Sequence, residues 1–236
     1  MSTVRSGPPG TPCPPCPRCG YPAAPRVPRP SSRLIAAAAV GGLVANIPLL
    51  RTWGLHWGAT EQELDATLPG DDLVRDADVV ATRAIAIRAD ASRVWPWIAQ
   101  LGQGRGGLYS YDWAENLVGC DMHSATTVVE EWQQPQVGDD FRLHPKAPAL
   151  RVAVVEPGRA LVVHGAVSPG QAPPPYDFSW AFVLSRRTAD SCRLVVRERY
   201  GYTRRRAALM VEPVAVVSFA MSQKMLRGIR DRAERS

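Results

Sequence analysis

Hydrophobic and polar positions fall into two distinct regimes along this chain. From Val79 to Ala89, "VVATRAIAIRA", Val79, Ala81, Ile85 and Ile87 alternate with Val80, Thr82, Ala84 and Ala86, a period of two that predicts a long strand. The period then changes. In "ASRVWPWIAQLG", Ala91 to Gly102, Val94, Trp97, Ile98 and Leu101 recur at helical spacing, with Asp90 or Ser92 as cap, Gly102 as stop and Pro96 tolerable only in the first turn. A second short helix fits Asp112 to Val118. Turn-separated strands follow at Asp139–His144, Leu150–Val155, Ala160–Gly165, Tyr176–Ser185 and Arg193–Tyr202, spaced as in an antiparallel meander. Pro213 to Arg235 closes the pattern as a helix reaching about 34 Å, with Pro213 near its start and Val214, Val217, Met221, Met225 and Ile229 forming one apolar stripe.

Ahead of this region the pattern divides into three pieces. Residues 1–33 are dense in Pro, Gly and Ser and predict a disordered tail, which contains "CPPCPRC". Its Cys13, Cys16 and Cys19 are weak zinc candidates, because a complete site needs a fourth ligand and no His or Cys follows before His56. Residues 34–51 form a weak hydrophobic helix, a candidate membrane anchor. Leu34–Leu50 is uncharged but only 17 residues long, at the low edge for a span, and Asn46 and Pro48 weaken it. If it inserts, the Arg residues on its amino side predict a cytoplasmic tail; the alternatives are a helix packed on the domain and a cytoplasmic protein. Residues 52–78 read as a linker packed on the domain, with a capping box at Thr60 and Glu63, and residues 79–235 as one folded domain.

Composition changes this picture little. The net charge of +6 and pI near 9.4 suggest an anionic partner, but all of the 28 basic residues except Lys146 and Lys224 are Arg, a lopsidedness that reflects overall compositional bias. Nucleic acid is not the expected partner. Cys120 and Cys192 lie far apart with no local His, so neither a disulfide framework nor a cysteine nucleophile is expected.

Gly102, Gly104 and Gly107 match G-x-G-x-x-G, the dinucleotide-binding fingerprint. That loop requires a strand before it and a helix after it, within a βαβ unit. Here the glycines follow a predicted helix and precede antiparallel strands. They read instead as a sharp connection that brings Arg105, Tyr109 and Tyr111 close to a neighbouring site. No cofactor is expected.

The order of strand, two short helices, five antiparallel strands and long C-terminal helix resembles the helix-grip fold of the START-like, or SRPBCC, superfamily, which includes birch-pollen-allergen-like proteins and polyketide cyclases. The resemblance spans about Leu68 to Arg235. It rests on "ASRVWPWI" (Ala91–Ile98) after the first strand and on Phe178, Trp180, Phe182 and Leu184 in "YDFSWAFVL", with "VGDDFRL", "VVEPGRALVV" and "RLVVRERYGY" in support. It implies an α+β fold, a curved antiparallel sheet wrapped around the C-terminal helix, enclosing a cavity for a hydrophobic small molecule such as a lipid or polyketide. It brings no catalytic motif, so binding without catalysis and a cyclase- or aromatase-like activity both stand as readings. Oligomeric state is not legible.

Within that frame the candidate acid–base residues are Glu198, His123, Tyr109 and Tyr111. On the last strand Leu194, Val196, Glu198, Tyr200 and Tyr202 share the more apolar face, so Glu198 points inward, as an acid or base or as one half of an ion pair at the cavity rim. His123 is a candidate proton shuttle by residue type, although a lone His is more often a surface or hydrogen-bonded residue. Asp112 with Ser110 reads as helix capping. The residues expected to line the cavity are Trp97, Arg105, Tyr109, Tyr111, Trp113, Phe178, Trp180, Phe182, Glu198, Tyr200, Val217, Met221 and Met225, with the tryptophans read first as core. His56, His144 and His164 show no ligand spacing, so no catalytic metal is expected.

Overall fold

The computed structural model describes residues 48–165, 174–204 and 207–235. The tail, its cysteines and residues 34–47 of the hydrophobic segment lie outside the described residues. Residues 48–55 are helical, and no helix among the described residues is long and apolar enough to cross a membrane.

Six strands form a single antiparallel, unclosed sheet: β1 (Val79–Ile87), β2 (Asp140–Phe141), β3 (Leu150–Glu156), β4 (Ala160–Gly165), β5 (Tyr176–Thr188) and β6 (Ser191–Tyr202), in the order β1-β6-β5-β4-β3-β2. The last strand thus pairs with the first, and β5 and β6 form the long central hairpin. Besides the helical residues 48–55, four helices accompany the sheet among the described residues: α1 (Glu61–Asp65), α2 (Ala91–Ala99), α3 (Asp112–Leu117) and α4 (Ala208–Ala233). The 26 residues of α4 reach about 39 Å, and its C-terminal half lies against the sheet face made by Ile85, Ile87, Phe182, Leu184, Leu194 and Val196, with α2 beside it. This is the helix-grip architecture that the resemblance implied.

Most element boundaries match the pattern of the sequence, and the departures have local causes. Asp90 caps α2 by accepting from the Ser92 amide at 2.9 Å, which ends β1 at Ile87. Pro96 sits in the second turn of α2, not the first; the single backbone bond it removes is offset by the burial of Trp95, Trp97 and Ile98. Helix α4 begins at Ala208, five residues before Pro213. Of the apolar stripe expected on it, Met225 and Ile229 are buried and Met221 lines the cavity, whereas Val217 is 63% exposed and the Val214 side chain lies outside the described residues. Val211, Ser222, Leu226 and Ala233 complete the buried face, and Ser222 is an inward position that hydrophobicity does not reveal.

The segment between residues 56 and 78 covers the opposite face of the sheet. Thr60 and Glu63 form the predicted capping box at the start of α1. Behind it, Arg197 is buried and donates to Thr82 Oγ1, to Asp71 Oδ2 and to the carbonyls of Glu63, Leu64 and Ala66, while Arg199 donates to the Val74 carbonyl. Carbonyls at the end of so short a helix lack intrahelical partners, and Arg197 supplies one from the sheet to Glu63, Leu64 and the C-cap Ala66. Leu68 and Leu73 then pack on Ala160, Val162, Ala181 and Val183. This is a fixed layer that leaves only one face of the sheet for a ligand.

Candidate functional site

Between the middle of α4, the α3 region and strands β5 and β6, the helix and the sheet do not meet, and a cavity of about 230 Å³ remains. Leu108, Met122, Leu143, Phe178, Trp180, Met221 and Met225 provide its apolar wall; Ser110, Glu115, Cys120, Glu198, Tyr200, Ser218 and Ser222 provide the polar points. A water occupies about 30 Å³ of liquid, so the space equals roughly eight waters, room for a molecule of about ten non-hydrogen atoms. The three methionines leave an adaptable surface.

The end of the cavity formed by β6 and α4 is a closed polar cluster. Glu198 points inward, as the strand parity predicts, and each of its oxygens takes two donors. Oε1 accepts from Arg83 Nη1 at 2.8 Å and Ser222 Oγ at 2.8 Å; Oε2 accepts from Ser218 Oγ at 2.6 Å and Tyr200 OH at 3.1 Å. Arg83 is as buried as Glu198 and also donates from Nε to the Gly54 carbonyl at 2.9 Å. The ion pair is therefore internal, not at the rim. Burial and the adjacent Glu198 carboxylate push the Tyr200 hydroxyl well above its ordinary range, so Tyr200 serves as a donor and not as a base. With four donors on it, Glu198 has no lone pair facing a ligand unpaired.

Glu115 is the opposite case. It lies in the middle of α3, is only 6% exposed, faces the cavity, and neither of its oxygens has a hydrogen-bond partner among the described residues. Burial, and then the charge of Asp112 in the preceding turn, raise its pKa to about 7. The charge of Glu115 in turn adds to burial in raising the pKa of the neighbouring Cys120 thiol. Trp180 Nε1, also buried, lacks an acceptor.

Asp112 is not a cap, contrary to the expectation. Tyr111 holds the N-cap position, with no side-chain bond, and Ser110 donates instead to the Met221 carbonyl on α4. Asp112 is the first helical residue, and it accepts from the Ser124 amide at 2.8 Å and the Ser124 hydroxyl at 2.6 Å, clamping the return of the chain after α3. The carboxylate position that also suits the positive helix terminus is used to fix a loop.

The glycine-rich connection closes on itself. Gly102 and Gly107 exchange both backbone hydrogen bonds at 3.0 Å, with positive φ at each, and Arg105 donates to the Ala99 and Trp132 carbonyls. Tyr109 is buried behind the cavity, with a positive φ; its hydroxyl accepts from Gln100 Nε2, and the Arg232 guanidinium lies 4.5 Å from its ring centre. Burial raises the Tyr109 pKa. This strained stretch fits against α4 only because residue 228 has no side chain: a Cβ at Gly228 would stand 2.4 Å from the Tyr109 carbonyl oxygen. Gly228→Ala should therefore destabilise the protein by about 1–3 kcal/mol, measured by urea denaturation, even though Ala is the better helix former by about 1 kcal/mol.

Of the residues expected from the sequence, Phe178, Trp180, Glu198, Tyr200, Met221 and Met225 line the cavity. Trp97, Arg105, Tyr109 and Phe182 lie in the surrounding structure, and Tyr111, Trp113 and Val217 face solvent. His123 is exposed beside Asp121, 3.1 Å away. Trp113 is 69% and Leu117 78% exposed, so α3 turns its apolar side chains outward and its glutamate inward. Among the described residues no three His, Cys, Asp or Glu side chains are placed to hold a metal ion.

No protein-family model and no curated relative matches the chain. Solved structures do align with it. Norcoclaurine synthase from Thalictrum flavum is 13% identical, over 70% of this chain and 91% of its own, with a TM-score of 0.41. A protein from Thermobifida fusca is 14% identical, over 66% and 93%, at 0.41. The di-domain ARO/CYC BexL from the BE-7585A biosynthetic pathway is 12% identical, over 66% of this chain and 46% of its own, at 0.36.

Proposed function

We propose that this protein binds an apolar small molecule, lipid- or polyketide-like in its hydrophobicity, in the cavity between α3, α4 and the β5–β6 hairpin. The observation that carries this reading is the cavity itself, with apolar walls and a few converging polar groups, the composition of a small-molecule site. The saturation of Glu198 favours binding over turnover, because a carboxylate with four donors orients a ligand's surroundings more readily than it exchanges protons. A cyclase-like activity is the second reading. Glu115, buried on the cavity with both oxygens unpartnered among the described residues and its pKa raised by burial, is the feature in its favour.

Native mass spectrometry of the full chain purified from its own host, followed by organic extraction, tests the proposal. The expected result is one small molecule per chain, released on denaturation. A protein that carries nothing and does not bind an environment-sensitive apolar dye would overturn it.

A further inference from the structure

We infer that the cavity selects an apolar molecule carrying a positively charged nitrogen, with Glu115 as its counter-ion. The inference rests on the cavity-binding reading and deepens it. Its basis is the contrast between two buried carboxyls on one cavity. Glu198 is neutralised by Arg83 and takes four donors, whereas Glu115, at 6% exposure, takes none. A buried polar group without a partner costs about 1–3 kcal/mol, and more when charged, so a fold that retains one at a ligand site has left a partner to be supplied from outside.

The partner's charge follows from what faces Glu115. On its own helix stands Asp112, a second carboxylate, already engaged by Ser124. The loop after α3 brings Cys120, whose thiol is kept neutral by burial and by Glu115. From β6 and α4 come Tyr200, Ser218 and Ser222, all turned to Glu198, and the compensated Arg83–Glu198 pair. Among the described residues no Lys, Arg or His lines the cavity. Lys224, Arg232 and Arg235 line the adjoining groove with Tyr109, Tyr111 and Asp112; this groove meets the cavity at Ser110, and Lys224 lies over the Tyr111 ring at 5.9 Å. Inside the cavity, therefore, no cationic side chain among the described residues pairs with Glu115, while Asp112 has Arg232 beside it in the adjoining groove. An ammonium group entering there would make a charge-assisted bond of about 2.7–2.9 Å and restore the balance, while Phe178 and Trp180 receive its apolar part. An anionic ligand would meet repulsion, and a neutral hydroxyl would satisfy one oxygen without lowering the charge.

The test compares 1-naphthylmethylamine with 1-naphthylmethanol, near-isosteric probes of cavity size, by isothermal titration calorimetry on the full chain at pH 6.5 in buffers of different ionisation heat. At that pH a carboxyl with a pKa near 7 is about three-quarters protonated, and an arriving cation expels that proton. The expected result is binding of the amine at least tenfold tighter than the alcohol, release of roughly three-quarters of a proton with the amine and none with the alcohol, and amine affinity that rises from pH 5 to pH 8. Glu115→Gln should remove the proton release and bring the amine to no more than about twofold tighter binding than the alcohol. Equal binding of amine and alcohol without proton release would overturn the inference and leave the cavity reading standing. Failure of both probes to bind would overturn the two together.

Discussion

Arg83→Met is expected to destabilise the folded protein by about 3–5 kcal/mol, the cost of leaving a buried charge without its partner. In a body of this size that corresponds to a fall in Tm of roughly 10 °C. Glu198 and Arg83 are both almost fully buried and 2.8 Å apart. With Arg83 gone, Ser218, Ser222 and Tyr200 would still donate to Glu198 but would carry no net charge to offset it. The loss should therefore be one of charge and not of volume, and a second substitution separates the two. Glu198→Gln in the Arg83→Met background removes the orphaned charge, keeps an acceptor for the hydroxyls, and should recover at least half of the lost stability. Urea midpoints of the two variants at pH 7 provide the measurement. A single-variant loss below 1 kcal/mol would mean that the cluster is hydrated, and no recovery in the double variant would mean that Arg83 acts through packing alone.

That cluster was half legible in the sequence. Strand parity placed Glu198 inward with Val196 and Tyr200, and the same parity places Arg83 with Ile85 and Ile87. What joins them is the pairing of the last strand with the first, which sets Ala81 opposite Glu198 and Arg83 opposite Val196. Pairing between strands more than a hundred residues apart is a property of topology, not of local pattern. Once the helix-grip order is recognised, opposite charges at inward positions of the first and last strands become a detectable signal. Ser218 and Ser222 follow from it, since an apolar helix face tolerates hydroxyls only where something accepts from them.

Glu115 was not legible, for a different physical reason. In "DWAENL" the hydrophobic residues Trp113 and Leu117 fall four apart, which predicts that they face the core and Glu115 faces water. The structure reverses this, because α3 is held by the Asp112–Ser124 clamp and by Asn116, which bonds both the amide and the carbonyl of Met122. Polar anchors at both ends, not burial of its apolar side chains, set the rotation of this six-residue helix. A side chain placed against the local hydrophobic pattern is where a consistent reading of pattern fails.

The second large effect follows from that inversion. Glu115→Gln should stabilise the ligand-free protein at pH 8 by about 1–3 kcal/mol, and should have little effect at pH 4. A carboxyl whose pKa rises from 4.5 in the unfolded chain to about 7 in the folded one binds its proton more tightly when folded. Below pH 4.5 both states are protonated and the residue contributes nothing to the pH dependence. Between pH 4.5 and 7 the unfolded chain loses its proton first, stability falls as pH rises, and the penalty is complete above pH 7. The full shift corresponds to about 3.4 kcal/mol, and partial access of water through the cavity lowers the expected value. Urea denaturation of the two proteins from pH 4 to pH 8 should give curves that converge at the acid end and diverge through pH 6. Parallel curves would mean that Glu115 is hydrated and ionises normally, removing the physical ground for a cation beside it. Divergence would show a protein less stable with its natural residue than without it, and that excess free energy is what a cationic ligand recovers on binding.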